Sequence, residues 1–346
     1  MNIMSRFTLD VRSGRTGWVK RGTFRWITWL CFLSAALIIV PSGFSQISKR
    51  PITRVVAVTF DDLPVATATW TDTPTQTKIT SRLIRSIAGN KIPAIGFVNE
   101  GKLFRENKLD EGRVALLEMW LDAGLELGNH TFSHLDLHHT PLADYEENIL
   151  RGAVLTSDLM QKKGLSLRYF RHPFLHTGRS LEIRNDLNDF LASRGYRVAP
   201  VTIDNSEWIF ARAYERAAVQ GDRRMMRRIA RTYIVYMDQK FEYFEKQTVA
   251  LFGAEIKQVL LLHANGLNAD HFNELAGMMR RRGYRFITLD EALRDPAYGS
   301  VDTFIGPGGI SWLHRWAISL GKKESFFAGE PLTPNFVLKE AQVNAE

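Results

Sequence analysis

Val55-Val56-Ala57-Val58-Thr59-Phe60 is an unbroken run of apolar and β-branched residues that ends on two acids, Asp61-Asp62. A short continuous run of this kind reads as a buried strand. The chain beyond it keeps one rhythm. Thr77 to Ala88 reads as a helix closed by Gly89-Asn90, Ala94 to Val98 as a strand, and Arg113 to Ala123 as a helix stopped by Gly124. Leu125 to Gly128 leads as a short strand into His130. Then come a helix from Leu142 to Lys163, a strand around Leu167 to Phe170 and a helix from Leu181 to Ser193. Strands at Tyr196 to Ile203 and Gln258 to Leu262, a helix from Asp270 to Arg282 and a strand from Tyr284 to Thr288 complete the series. This βα repetition without hairpin signals predicts an α/β fold with a parallel sheet and helical crossovers, open or closed into a barrel. In such sheets chemistry gathers at the carboxyl ends of the strands.

One stretch breaks the rhythm. From 210 to 252 there is no strand signal, and Met226, Ile229, Tyr233, Met237, Phe241 and Phe244 recur at helical spacing. This is a helical insertion, either packed on the sheet with Arg223, Arg224, Arg227 and Arg228 solvated or shaped into a cap over a substrate. Residues 298–346 form a tail with Gly306-Pro307-Gly308-Gly309, Trp312 and Trp316, expected to pack on the main domain, 51–297.

The formal net charge of +8 belongs largely to the N-terminus. Residues 1–45 hold six of the 45 bases and one of the 37 acids, which leaves 39 bases against 36 acids elsewhere and argues against nucleic acid as a partner. In the same segment, Lys20, Arg21 and Arg25 precede an uncharged apolar run from Trp26 to Val40, and small residues follow at Gly43 and Ser45. That is the pattern of an export signal peptide, with an uncleaved membrane anchor over 1–45 as the alternative and the only expected membrane contact. The expected location is therefore the periplasm, the cell envelope or the outside of the cell. The one cysteine, Cys31, lies inside the apolar run, so neither a disulfide framework nor a cysteine zinc site is available downstream.

Chemistry-bearing residues cluster where strands end. Adjacent carboxylates such as Asp61-Asp62 repel, and a fold tolerates them best beside a cation or an arginine. In His130-Thr131-Phe132-Ser133-His134 the two histidines are four apart, a spacing that puts both on one side of a helical turn within reach of one metal. Thr131 follows the first histidine where the zincin motif has glutamate, so that protease class is excluded. Two imidazoles and one carboxylate form the donor set of a catalytic divalent metal with open positions. Phe170-Arg171-His172-Pro173-Phe174 offers an arginine that could orient an ionised aspartate. Asp204-Asn205-Ser206-Glu207-Trp208 follows another strand, and Leu260-Leu261-Leu262-His263 ends an apolar run on a group suited to general acid catalysis near neutral pH.

Taken in order, these segments resemble the motifs of the polysaccharide deacetylase family, the carbohydrate esterases with a NodB-type domain. Thr59-Phe60-Asp61-Asp62 is similar to the first motif, His130 to His134 to the second and Arg171-His172-Pro173-Phe174 to the third. Asp204 to Trp208 is similar to the fourth, and Leu260 to His263 to the fifth. Phe174 stands where the family usually has tyrosine, and Glu207 where it usually has aspartate. The resemblance spans roughly 54–295 and implies a distorted parallel (β/α) barrel of the NodB type that carries the helical insertion. It implies Asp62, His130 and His134 as ligands of a divalent metal, zinc first, with cobalt or manganese fitting the same donors. Asp61 would be the general base, oriented by Arg171, and His263 the acid that protonates the leaving group. Glu207, rather than Asp204, is the expected partner of His263. The Phe174 backbone N–H would face the oxyanion, and Trp208 and Leu262 would line the pocket of the acetyl methyl. The implied partner is an acetylated carbohydrate, and the implied reaction is hydrolysis of N-acetyl groups on an amino-sugar polymer of peptidoglycan or chitin type. An O-acetyl esterase, and a glycan-binding protein without activity, are the alternatives. His138, His139, His172, His176 and His271 match no motif position and are read as structural or solvent-exposed.

Overall fold

A computed structural model describes residues 54–346; the run Trp26–Val40 with Cys31, and with it the export or anchor reading, lies outside the described residues. Among those described, no helix is long and apolar enough to cross a membrane.

The run that decides the fold is the central strand β1 (Arg54–Leu63), and Asp61 and Asp62 are still part of it. It pairs in parallel with β2 (Ile95–Val98), β8 (Gln258–His263) and β9 (Tyr284–Phe286). The sheet order is β7 (Arg197–Val198), β6 (Tyr169–Phe170), β5 (Glu126–Asn129), β2, β1, β8, and a separate two-stranded ladder joins β3 (Phe104–Arg105) to β4 (Lys108–Leu109). The chain after β7 joins the two edges of the curl. Ala199 N–H donates to Phe170 O at 2.8 Å on one side, and Ile203 N–H to Val259 O at 3.0 Å on the other. The sheet is thus a parallel barrel distorted along 197–203, where only short pairings form.

Residues alternate across β1 with the period of two that a strand imposes. Ala57 packs inside the curl with Ile95, Phe97, Tyr169, Ala199 and Val259. Val56, Val58 and Phe60 belong to the larger core under the helices. There Phe60 meets Trp120 of α2 (Glu111–Asp122) edge-on at 5.7 Å and Phe272 of α8 (Gly266–Arg281) at 5.4 Å. Truncating such an aromatic in a core costs about 3–5 kcal/mol, so this cluster fixes the strand that carries both acids. α1 (Thr73–Gly89), capped by Asp72, packs beside α8 and α2.

The stretch expected as one helix over 142–163 is two, α3 (Leu142–Arg151) and α4 (Val154–Lys162), broken at Gly152-Ala153. The break has a packing reason. A Cβ at Gly152 would lie 2.5 Å from the Thr131 carbonyl carbon and 2.6 Å from Phe132 N. Glycine lets α3 close on that loop, and Phe132 N–H donates to Asn148 O at 3.0 Å. α5 (Leu181–Ser193) starts at its Ser180 cap.

The insertion consists of α6 (Glu207–Val219) and α7 (Arg223–Phe252). Ile229, Tyr233, Met237, Phe241 and Phe244 are buried, whereas Arg223, Arg224, Arg227 and Arg228 are exposed. Its first helix starts three residues before the expected 210, which sets Glu207 in the first turn of a helix. α9 (Leu289–Ala292) ends the main domain, and the tail carries α10 (Trp312–Ser319) and α11 (Asn335–Ala341). Trp312 and Trp316 are buried, and Trp312 N–H donates to Val201 O at 2.7 Å, so the tail is fastened to the closing segment of the barrel.

Candidate active site

A cavity of about 770 Å³ opens at the carboxyl ends of β1, β2 and β8, and Asp61, Asp62, His130, His134, Phe174, Trp208 and His263 all line it. The strand register sets two of these directly: Asp61 on β1 stands opposite His263 on β8.

The two neighbouring acids are driven apart electrostatically. Asp61 is buried, and burial pushes its carboxyl up to about 6 against the pull of Arg171. Arg171, fully buried, donates from Nη1 to Asp61 Oδ2 at 3.2 Å and from Nη2 to Thr59 Oγ1 at 3.0 Å, with its guanidinium 4.7 Å above the Phe97 ring. Asp61 Oδ1 is buried and has no hydrogen-bond partner. Asp62 meets the same burial, but Lys102, His134, His263 and His130 outweigh it and hold the carboxyl well below the carboxylate range. A carboxylate pair split in this way is the signature of two different roles.

Asp62, His130 and His134 each present one donor atom, all mutually within 4.8 Å. Asp62 Oδ1 is 3.9 Å from His130 Nε2 and 3.6 Å from His134 Nε2. Three observations show that this set fits a divalent cation. Asp62 Oδ1 is buried without a hydrogen-bond partner. His130 Nδ1 lies 2.8 Å from Arg171 O, and a carbonyl only accepts, so Nδ1 carries the proton and Nε2 keeps its lone pair for the ion. Burial holds both imidazoles below their ordinary pKa, which leaves them neutral as ligands must be.

The segment 130–134 is a loop, not the helical turn that the spacing suggested. Thr131 at φ 66° and His134 at φ 54° are left-handed, and that bend brings the two rings to 4.9 Å. Asp62, Phe174 and Leu175 also have positive φ, so five of the nine such non-glycine residues described lie at this site. Strain of that kind persists where the surroundings over-determine the backbone.

On β8, His263 Nδ1 is 2.8 Å from Glu207 Oε2, and the other oxygen, Oε1, accepts from the amides of Asn265 and of Asn268, the latter at 2.8 Å. Burial lowers the imidazole's pKa, but Glu207 outweighs it and raises His263 to about 9. Asp204 sits elsewhere in the cavity. Burial pushes it up to about 6 against the pull of Lys240, which reaches in from α7 and pairs with Glu330 at 2.5 Å. Phe174 and Trp208 are 52% and 43% exposed and form two aromatic faces of the cavity wall.

One expected pocket residue is wrong. Leu262 is fully buried in the outer core and does not line the cavity; its neighbour Leu261 does. The strand alternation requires this, because His263 faces the cavity and 261 shares its face. Lys102 was also missed. Its Nζ is 3.0 Å from Asp62 O and 3.4 Å from Asp62 Oδ1, but it sits in a one-turn helix after β2 where no sequence period marks it. Asn265 and Asn268 were missed because the helix expected from Asp270 starts at Gly266, with Asn265 as its N-cap and Asn268 in its first turn.

The family model described as polysaccharide deacetylase matches residues 48–197. No curated protein matches the chain. Among solved structures, a mutant of a CE4 family pseudoenzyme with restored enzymatic activity is 14% identical, with 70% of this chain and 69% of that one covered at a TM-score of 0.47. A family 4 carbohydrate esterase from Streptomyces lividans is 17% identical over 70% of this chain and 96% of that one, at a TM-score of 0.43. A polysaccharide deacetylase from Bacillus cereus is 16% identical over 68% and 91%, at 0.46. The matched residues 48–197, less than half of the chain, contain both acids, both histidines and the arginine, and over that stretch the chain is similar to the polysaccharide deacetylases.

Proposed function

We propose that the chain is a metal-dependent hydrolase that removes N-acetyl groups from an amino-sugar polymer or oligomer. The observation that carries this reading is the convergence of three complete pairings on one cavity: Asp61 with Arg171, Asp62 with His130 and His134, and His263 with Glu207. A protein that only bound glycan would have no need for a buried base, a cation-ready triad and a proton-loaded imidazole together.

Asp62, His130 and His134 are the residues that would hold the ion, and zinc suits two imidazoles and a carboxylate. When bound there, such an ion polarises an acyl oxygen and makes water more acidic. The remaining work falls to the chain. Asp61 accepts the proton of the attacking water at Oδ1, the oxygen left free because Oδ2 is tied to Arg171. The N–H of Phe174 is the donor for the negative charge that develops on the acyl oxygen. His263, anchored through Nδ1 to Glu207, delivers a proton from Nε2 to the leaving amine. The rings of Phe174 and Trp208 and the side chain of Leu261 exclude water around the acetyl group. The reaction is placed outside the cytoplasm, a reading supported by Lys20 to Ser45 alone.

The test is acetate release from N-acetylated chitin oligomers, peptidoglycan and O-acetylated xylan, with and without a chelator. Release from an N-acetylated substrate, lost on chelation and restored by zinc, is expected. Release from xylan alone would make the protein an O-acetyl esterase, and no release at any metal loading would make it a binding protein.

A further inference from the structure

We propose that Asp136, His138 and His176 form a second site for a divalent metal of the zinc class, on the rim of the catalytic cavity. A carboxylate oxygen and one ring nitrogen from each histidine lie mutually within 4.8 Å, as compact a set as Asp62, His130 and His134. All three residues are half-buried, so they are neither locked in the core nor free in solvent.

The hydrogen bonds around the two rings prepare them as ligands. His138 Nδ1 is 3.3 Å from the carbonyl oxygen of Pro307, which only accepts. His176 Nδ1 is 2.7 Å from Asp136 Oδ1. His138 therefore commits its proton at Nδ1 and keeps a lone pair at Nε2, with the Pro307 carbonyl as the outer partner that fixes the tautomer, whereas at His176 the hydrogen shared between Nδ1 and Asp136 is the one that an ion bound by both would displace. The rings are stacked at 3.8 Å, 6° from parallel. An ion lies in the plane of each imidazole that binds it, so the rings must tip toward each other to share one; bonds of about 2.0–2.1 Å require donors closer than they stand now. His139, whose Nε2 is 3.8 Å from Asp136 Oδ2, is the nearest further nitrogen.

The position gives the site a purpose. Asp136 and His138 follow the ligand His134, His176 follows Phe174, and Pro307 belongs to the tail. The Phe174 ring stands between the two sites, 4.5 Å from the His134 ring and 5.7 Å from that of His176. An ion here clamps the loop that carries Phe174 to the loop that carries His134. The inference does not rest on the proposed reaction.

The experiment counts zinc in the full chain, stripped by chelator and equilibrated with buffered zinc. Two ions per chain are expected in the wild type, and one in the His138→Gln, His176→Gln double variant. One ion is also expected in the His130→Ala, His134→Ala double variant, which tests the new site even if the first variant does not fold. Asp136→Asn keeps an acceptor for the backbone N–H of His138, which donates to Asp136 Oδ1 at 2.8 Å, and should weaken the second ion at least about tenfold. A single ion in the wild type, two ions in the His138→Gln, His176→Gln protein, or none in the His130→Ala, His134→Ala protein overturns the proposal.

Discussion

Replacing Glu207 by glutamine tests the protonation of His263 directly, because the two side chains are isosteric and differ by one charge. In the structure, burial disfavours the imidazolium, and the hydrogen bond and charge of Glu207 overcome it to raise His263 to about 9. Without that charge only Asp62 and Asp61 still oppose burial, and the pKa should fall toward the ordinary imidazole value. The change is about two pH units, or about 3 kcal/mol of preference for the charged ring. The sign follows from the role. A general acid must start protonated, so activity is present below its pKa and lost as pH rises through it. At pH 8 the protonated fraction drops from nine-tenths to a few hundredths, and kcat/KM should fall about 30-fold, with near parity at pH 6. An ion bound beside Asp62 repels the imidazolium equally in both proteins and moves both basic limbs down together, so the separation between them survives metal loading. The assay is the pH profile of acetate release by zinc-loaded wild type and variant. A basic limb that stays in place, or that Asp204→Asn moves instead, would refute the reasoning.

Asp61→Asn should keep its metal and lose about 10²–10⁴-fold in kcat, because a carboxamide cannot take the water's proton; metal loss in this variant, with Asp62→Asn still loaded, would reverse the two roles. His134→Ala should lose zinc on dialysis while circular dichroism shows the barrel folded, since the ring is on a loop and not in the core; full zinc occupancy would remove it from the ligand set. Gly309→Ala should act on Phe174 from the tail. A Cβ there would overlap the Phe174 carbonyl oxygen and lie 2.8 Å from its carbon, so the loop must shift. A displacement near 1 Å at the oxyanion donor lowers kcat by roughly 10²-fold, with KM nearly constant; an unchanged kcat would show that the tail does not position that donor.

How far the sequence carried the reading follows the range of the forces involved. β1 was legible because six consecutive apolar or β-branched residues leave few alternatives, and its end was legible because two adjacent acids demand compensation. The helices of 207–252 were legible from periodicity, yet their start at Glu207 was not, since Trp208, Ile209 and Phe210 stand side by side with no helical period in that turn; Ser206 stands at the cap position without a side-chain bond. The loop 130–134 shows the limit of spacing as an argument. Histidines four apart suit a helix, but here Thr131 and His134 adopt left-handed backbone, and α3 packs against the loop through Gly152. The chemistry inferred was the same because a metal asks only where the nitrogens end, not which backbone delivers them.

The mistaken Leu262 and the missed Lys102 have different origins. The first was decidable: once His263 faces the cavity, alternation puts Leu261 beside it and Leu262 outside, and the parallel pairing of Asp61 with His263 enforces the same register. The second was not, because Lys102 is brought to Asp62 by the path of a connection, with nothing periodic in it. That difference also bears on the arginine. Arg171 was legible as a residue that could orient an aspartate, but its effect on Asp61 depends on its own enclosure. It is fully buried, its guanidinium over Phe97 and one Nη on Thr59, so it holds one carboxylate oxygen and leaves the other free. Burial alone would neutralise Asp61 and Arg171 alone would make it a weak base; together they place the carboxyl near 6, where it is ionised at neutral pH and still able to take a proton.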